Sequence, residues 1–457
     1  MSKAAEWLMG ERETAFGFTD RATHTYVVGQ SGTGKSRALE SWVMQDILNG
    51  RGVGVIDPHG DLFNNLLTRI AIRHQLHDRV VIFDPLDPDW IVGLNPLEPV
   101  QGFSQERIAL YLTDVVIKVW KLKPENAPRM IWLLTNSFLA LANLGLTLLD
   151  LQRFLVDSDY REELTAKLTN QAVRHYFERE YPTTTKSSQQ WATPILNKLG
   201  NLLFDPDVRR IFQKKSTVNF RQVIDEQKIL LVNVPKGILG ESLSSLLAAF
   251  VVAHLQKAAL SRASSPTRPP FYLYLDEFQN YTTDNIADIL SESRKYALSL
   301  ILAHQYLQQL PDELRSAVLN TAGTIVSFRV GYKDAMELAK EIFPRPDFFQ
   351  ATGFRPNLRA PWFLPVSFPG ENKPKGWERP ARELASLENR QFWSRKRGNH
   401  QPVKQQSYFM PDPKLTPELQ NQIQTLRNIS GQRYAIPKSK LQSHEQSLEP
   451  DPPLWTT

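Results

Sequence analysis

The run Gly29-Gln30-Ser31-Gly32-Thr33-Gly34-Lys35-Ser36 constrains this chain more than any other feature, because it follows an apolar strand and opens a helix. Its three glycines let the backbone curl until successive N–H groups face inward, and the dipole of the helix behind adds partial positive charge. Such a curl is a cradle for phosphate. Lys35 stands within reach of β- and γ-phosphates and Ser36 within reach of Mg²⁺. The strand is Tyr26-Val27-Val28; the helix carries Leu39, Trp42, Val43 and Ile47 on one face and stops at Gly50.

Six more short β-rich runs follow: Val53 to Ile56, Val80 to Phe83, Ile229 to Val232, Phe271 to Leu275, Leu298 to Leu302 and Thr324 to Phe328. They are near-continuously apolar and alternate with helical stretches, which predicts an α/β fold whose parallel sheet is covered on both faces. Between the third and fourth strands, residues 101–215 show helical periodicity only, with Thr147 and Asp150 spaced as a capping box before Leu151. A stretch of that length is too long for a loop and reads as an inserted all-helical domain. The sheet-forming part therefore comprises residues 1–100 and 216–410. Phe392-Trp393 and Tyr408-Phe409, separated by a turn at Gly398-Asn399, read as a hairpin returning to the sheet. Residues 411–457 read as a helix from Pro417 to Arg427 and a flexible tail from Pro437.

A phosphate loop needs carboxylates from a neighbouring strand, and Phe271-Tyr272-Leu273-Tyr274-Leu275-Asp276-Glu277 supplies them at the carboxyl end of a buried strand, where ligands sit in such sheets. Asp276 is the expected Mg²⁺ partner and Glu277 the base that polarises water. The next strand ends in His304-Gln305, which brings the Gln305 amide to the γ-phosphate as a sensor that donates to phosphate and accepts from water. Arg294 lies eleven residues before Gln305, badly placed for its own nucleotide. It is either a surface ion-pair partner or a finger reaching a neighbouring subunit's site. Arg329 is a second candidate for sensing phosphate. Asp57 sits in Asp57-Pro58-His59-Gly60, which makes a strand-ending turn at the least and a water-ordering group at the most.

Composition closes off several other chemistries. The absence of cysteine excludes disulfides, Cys-ligated zinc and iron–sulfur clusters. A formal charge of +6 permits nucleic-acid binding without arguing for it. Met1 to Gly10 lacks a signal-peptide pattern, and the most apolar helical stretch, Leu246 to Leu255, is about half the length that spans a bilayer. The expectation is a cytoplasmic chain with no membrane insertion of its own.

In this order the pieces resemble the type IV secretion coupling proteins of bacterial conjugation, within the FtsK and HerA class of DNA-pumping ATPases. The resemblance rests on the phosphate loop, Val55 to Leu62, Phe83-Asp84-Pro85 with Asn95-Pro96-Leu97, Val232 to Gly237 with Leu239-Gly240-Glu241, Asp276-Glu277-Phe278-Gln279, Arg294-Lys295 with Ala303-His304-Gln305, and Phe328-Arg329-Val330 with Asp334-Ala335. It covers about residues 6 to 340. It implies a RecA-like P-loop NTPase motor interrupted by the helical insertion, a homohexameric ring around a DNA channel, and ATP with Mg²⁺ as the nucleotide and metal. It also implies that Arg294 acts in the adjacent subunit's site. On this reading Lys35, Glu277, Gln305 and Arg294 are catalytic, Gly29 to Ser36 bind the nucleotide, and Ser36 and Asp276 hold the metal. DNA is the partner, along with a membrane-embedded, relaxosome or nuclease protein. Typical coupling proteins begin with membrane-spanning helices, whereas here the motor begins within about twenty residues of Met1. The chain is thus expected to borrow a membrane partner, or to serve, as a HerA-like ATPase does, beside a nuclease in repair or phage defence. A scaffold merely stabilised by nucleotide is the rival from outside the enzymes.

Overall fold

The computed structural model describes residues 21–100, 102–182, 184–212, 215–281, 290, 293–346, 376–398 and 401–441. The opening residues 1–20, the turn residue Asn399 and, of the tail expected from Pro437, residues 442–457 lie outside them, whereas Pro437 itself is paired in a strand. Along the chain run β1 (Thr25–Val28), α1 (Lys35–Leu48), β2 (Gly52–Asp57), α2 (Asp61–Ala71), β3 (Val80–Phe83) and β4 (Trp90–Ile91). Helices alone occupy the described residues from Gln105 to Ile211. Then come β5 (Ile229–Asn233), α3 (Glu241–Leu260), β6 (Phe271–Asp276), β7 (Leu298–His304), β8 (Thr324–Ser327), α4 (Tyr332–Ile342), β9 (Gln391–Lys396), β10 (Val403–Gln406), α5 (Pro417–Tyr434) and β11 (Ile436–Pro437). All seven apolar runs named above are strands, and every residue of those strands is buried. The architecture is the α/β class expected from near-continuous apolar strands between helices.

The chain divides into two compact units. The first holds β1, α1 and β6 to β10, with strands in the order β10-β9-β8-β1-β7-β6. β1 is parallel to both β7 and β8, in a register that sets Val28 beside His304 on one side and Ser327 on the other. The loop after Val28 therefore emerges beside the carboxyl ends of its neighbours. β9 returns antiparallel to β8 and pairs with β10, so the hairpin does come back to the sheet. Its second strand is Val403–Gln406, however, and not Tyr408-Phe409, which lie beyond the pairing with Phe409 73% exposed. The polar edge strand Val-Lys-Gln-Gln lacks the apolar signature of the buried ones, as edge strands commonly do.

The second unit holds β2, β5 and β3 in that order, all parallel, and a two-stranded pair of β4 with β11. The helices from Gln105 to Ile211 belong to the same unit as these strands. The apolar stretch at Leu246–Leu255 is part of the longer α3, which with the turn after it is long and apolar enough to cross a membrane. Its most apolar window is 94% buried inside the protein, packed among neighbouring helices of its own unit.

The C-terminal helix α5 also runs past its expected end at Arg427, because packing continues. Arg427 pairs with Asp84 at 2.9 Å and Asp87 at 2.7 Å, and Ser430 Oγ accepts the Ile82 N–H at 2.9 Å. Gly431 lets the helix lie against Trp90, whose ring would stand 2.2 Å from an added Cβ. Helix propensity alone makes Gly431→Ala stabilising by about 1 kcal/mol. The clash reverses that sign, and we expect a net loss of about 1–3 kcal/mol, read as a lower urea midpoint.

Candidate functional site

β1 hands the chain to a loop whose start is stitched down on both sides within the first unit. Gly29 N–H donates to His304 O at 3.3 Å and Gln30 N–H to Arg329 O at 3.0 Å. Gly29 has no room for a side chain, since a Cβ there would meet the Phe328 Cβ at 2.5 Å. Gly32 and Gly34 adopt φ of +77° and +100°, backbone that other residues rarely take. The Thr33 hydroxyl turns back to Gln30 O at 2.7 Å, while Gln30, Ser31 and Ser36 stay exposed at the mouth. Helix α1 begins at Lys35.

Lys35 reaches the two acids at the end of β6. Its Nζ donates to Asp276 Oδ1 at 2.8 Å and to Glu277 Oε1 at 2.9 Å, with all three side chains about 5% exposed. Ser36 Oγ stands 3.5 Å from the other Asp276 oxygen. Burial alone lowers an ammonium's pKa, but the charges of Asp276 and Glu277 outweigh it and hold Lys35 above its ordinary value. Burial likewise raises Glu277, yet the Lys35 charge and hydrogen bonds from Gln279 and Gln305 bring it below the usual carboxylate range. Glu277 is therefore ionised at neutral pH.

Glu277 sits at φ +49°, in the left-handed region that a non-glycine residue enters only under constraint. Its own N–H bonds Asp276 Oδ1 at 3.1 Å, and Gln279 Nε2 donates to Glu277 Oε2 at 2.8 Å. Asp276, Glu277, Gln305, Lys35 and Ser36 thus lie together, as the sequence reading expects. Gln279 is the partner that reading missed; its place two residues after Glu277 was the available signal. Arg294 lies in the turn Ser293–Tyr296, before β7, whereas Gln305 follows the other end of that strand. The strand's length alone separates them by roughly 20 Å.

Two other candidates have structural partners. Arg329 donates to Leu387 O at 3.3 Å and Asn389 Oδ1 at 3.2 Å. Asp57, in the second unit, accepts the N–H groups of His59 and Phe63 at 2.8 and 2.9 Å and so builds the turn into α2. No cluster of three or more metal-binding side chains occurs among the described residues, and the His77 ring bonds Ala71 O at 2.9 Å.

Behind the acids His304 is fully buried and lies 2.5 Å, Nε2 to Oη, from Tyr26, whose hydroxyl burial keeps protonated. Burial, then the Lys35 charge, pushes His304 down to about 3. Below its unfolded pKa of about 6.5 only the unfolded chain takes up this proton, so stability falls with pH from there down to about 3, by about 1.4 kcal/mol per unit. Urea midpoints at pH 7 and pH 5 should fall less in His304→Gln than in the native chain.

Residues 20–258 match the family model described as helicase HerA, central domain. Three solved structures resemble the fold. The bacterial conjugative coupling protein TrwBdeltaN70, unbound, is 17% identical over 90% of this chain and 92% of its own, with a TM-score of 0.57. Plasmid coupling protein TrwB in complex with ADP and Mg²⁺ is 16% identical over 91% and 95%, with a TM-score of 0.58. VirB4 of Thermoanaerobacter pseudethanolicus is 12% identical over 85% and 90%, with a TM-score of 0.52. At these identities the likeness concerns the fold, a P-loop ATPase fold. A search of curated protein sequences gave no match.

Proposed function

Because the chain belongs to the helicase HerA central-domain family, we propose that it is an ATP-hydrolysing DNA translocase, a coupling ATPase that moves DNA through a homohexameric ring. The observation that carries this reading is the Lys35 ammonium held between Asp276 and Glu277 at the end of a phosphate loop. The likeness in fold to coupling proteins over nine-tenths of the chain supports the choice of cargo.

The residues present suit ATP and Mg²⁺: a loop of inward N–H groups for the phosphates, and a hydroxyl with a carboxylate, Ser36 and Asp276, for the metal. Held by Ser36 and Asp276, Mg²⁺ would supply positive charge against the phosphate oxygens. Lys35 exchanges its acid partners for the triphosphate. Glu277, released from it, takes a proton from water as the water oxygen attacks the γ-phosphorus and the bond to the β–γ bridging oxygen breaks, leaving ADP and phosphate. Gln305 orients that water. Arg294, too far from its own subunit's loop, stabilises the transition state next door. The helical segment from 101 to 215 acts as an inserted domain on this motor core, and the chain works in the cytoplasm, peripheral to the inner membrane through a protein partner.

The test is ATP turnover with and without single- and double-stranded DNA. DNA should stimulate turnover several-fold, and the stimulation should fade as salt rises, because phosphate contacts release counterions. Turnover indifferent to DNA at low salt would leave a nucleotide-stabilised scaffold. The family match itself favours a second reading, a HerA-like ATPase working beside a nuclease, and a nuclease copurifying with the chain would select it.

A further inference from the structure

The first unit ends in a segment that returns to the phosphate loop. Arg390 N–H donates to Thr33 O at 2.7 Å, and Ser407 N–H donates to Arg390 O at 2.8 Å. Between these two bonds Arg390 is held at φ +70°, a second left-handed non-glycine residue beside the site. Its backbone nitrogen and Cα would stand only 3.3 and 3.2 Å from a Cβ on Gly34, so loop and segment are in direct contact. Farther along, Asp412 pairs with Arg37 in the first turn of α1. Phe409 is thus bracketed by two attachments, one to the loop and one to the helix it opens.

The side chains in this bracket are arranged for a flat ligand. The Arg390 guanidinium lies 5.5 Å from the centroid of the Phe409 ring, and among the described residues no carboxylate pairs with it. The ring is 73% exposed, the most exposed large hydrophobic side chain in the structure's described residues. A solvated aromatic ring gains when a π-face covers it, and aromatic side chains beside a cation are the usual platform for bases. A nucleoside triphosphate gripped by its phosphates on Gly29 to Ser36 must carry its sugar and base beyond the loop, and the segment of Arg390 and Phe409 is in contact with that loop at Thr33 and Gly34.

We propose that Phe409, steadied by Arg390, is the platform on which the nucleobase stacks, so that the C-terminal segment, and not only the loop, sets nucleotide affinity. This deepens the ATPase reading and rests on it. Stacking reads a π-face and no hydrogen-bonding edge, so ATP and GTP are held alike.

The experiment measures dissociation constants of the full chain, in Mg²⁺, for ATP, GTP and inorganic tripolyphosphate, in the native protein and in Phe409→Ala, Phe409→Trp and Lys35→Ala. Phe409→Ala should weaken ATP and GTP by roughly 5- to 100-fold and leave tripolyphosphate unchanged. Phe409→Trp should bind all three as the native chain does. Native-like ATP affinity in Phe409→Ala overturns the proposal, and so does equal weakening of ATP and tripolyphosphate, which marks a merely structural role. Lys35→Ala should lose affinity for all three ligands; if it loses none, the phosphate loop itself has been misread, a failure distinct from that of the platform.

Discussion

Glu277→Gln should lower ATP turnover by about 10²- to 10⁴-fold while leaving nucleotide binding at or above the native level. The rate loss is what removing a positioned general base costs. The amide fills the same volume at a residue that is only 4% exposed, so the pocket keeps its shape. Binding is preserved for an electrostatic reason. Lys35 is shared between two carboxylates, and neutralising one of them loosens its grip on an ammonium that the triphosphate must recruit. Single-turnover hydrolysis and equilibrium nucleotide binding, measured on the same preparation, check both halves. A variant that turns over at the native rate would remove Glu277 from the chemistry.

A mixing experiment has the second large effect. Lys35→Ala should be inactive alone, and Arg294→Ala should be slowed by about 10³- to 10⁵-fold if its guanidinium serves as a finger in the next subunit. Mixed in equal amounts, the two should regain turnover, because about a quarter of the head-to-tail interfaces then join an intact loop to an intact arginine. The placement motivates this: Arg294 precedes β7 at the end opposite Gln305. A mixture no more active than its parts, with both variants assembled, would confine each site to one subunit and return Arg294 to an ordinary surface role.

Most of the strand framework was legible because buried parallel strands announce themselves as apolar runs, and the phosphate loop because its glycines have a fixed spacing between strand and helix. What stayed hidden depended on tertiary contact. The edge strand Val403–Gln406 is polar, and the conspicuous pair Tyr408-Phe409 drew the hairpin two residues or more too far. The helix α5 continues past Arg427 through Gly431, where Trp90 fills the space a side chain would take. The span of α3 was underestimated because Ser244 and Ser245 interrupt its apolar run, although both are buried. At the site, residue types and order foretold which groups gather around Lys35. They did not foretell that the lysine would lie clamped by both acids, or that Arg390 would return to Thr33 from far along the chain.

The left-handed backbone at Glu277 sets two demands against each other. Glycine would adopt that conformation freely and relieve the chain of its strain, at the cost of the carboxylate. The relief is outweighed, because the same glycine would leave the buried Lys35 one partner short and empty the space the side chain fills; the strain at this position is thus carried by the ion pair it makes possible.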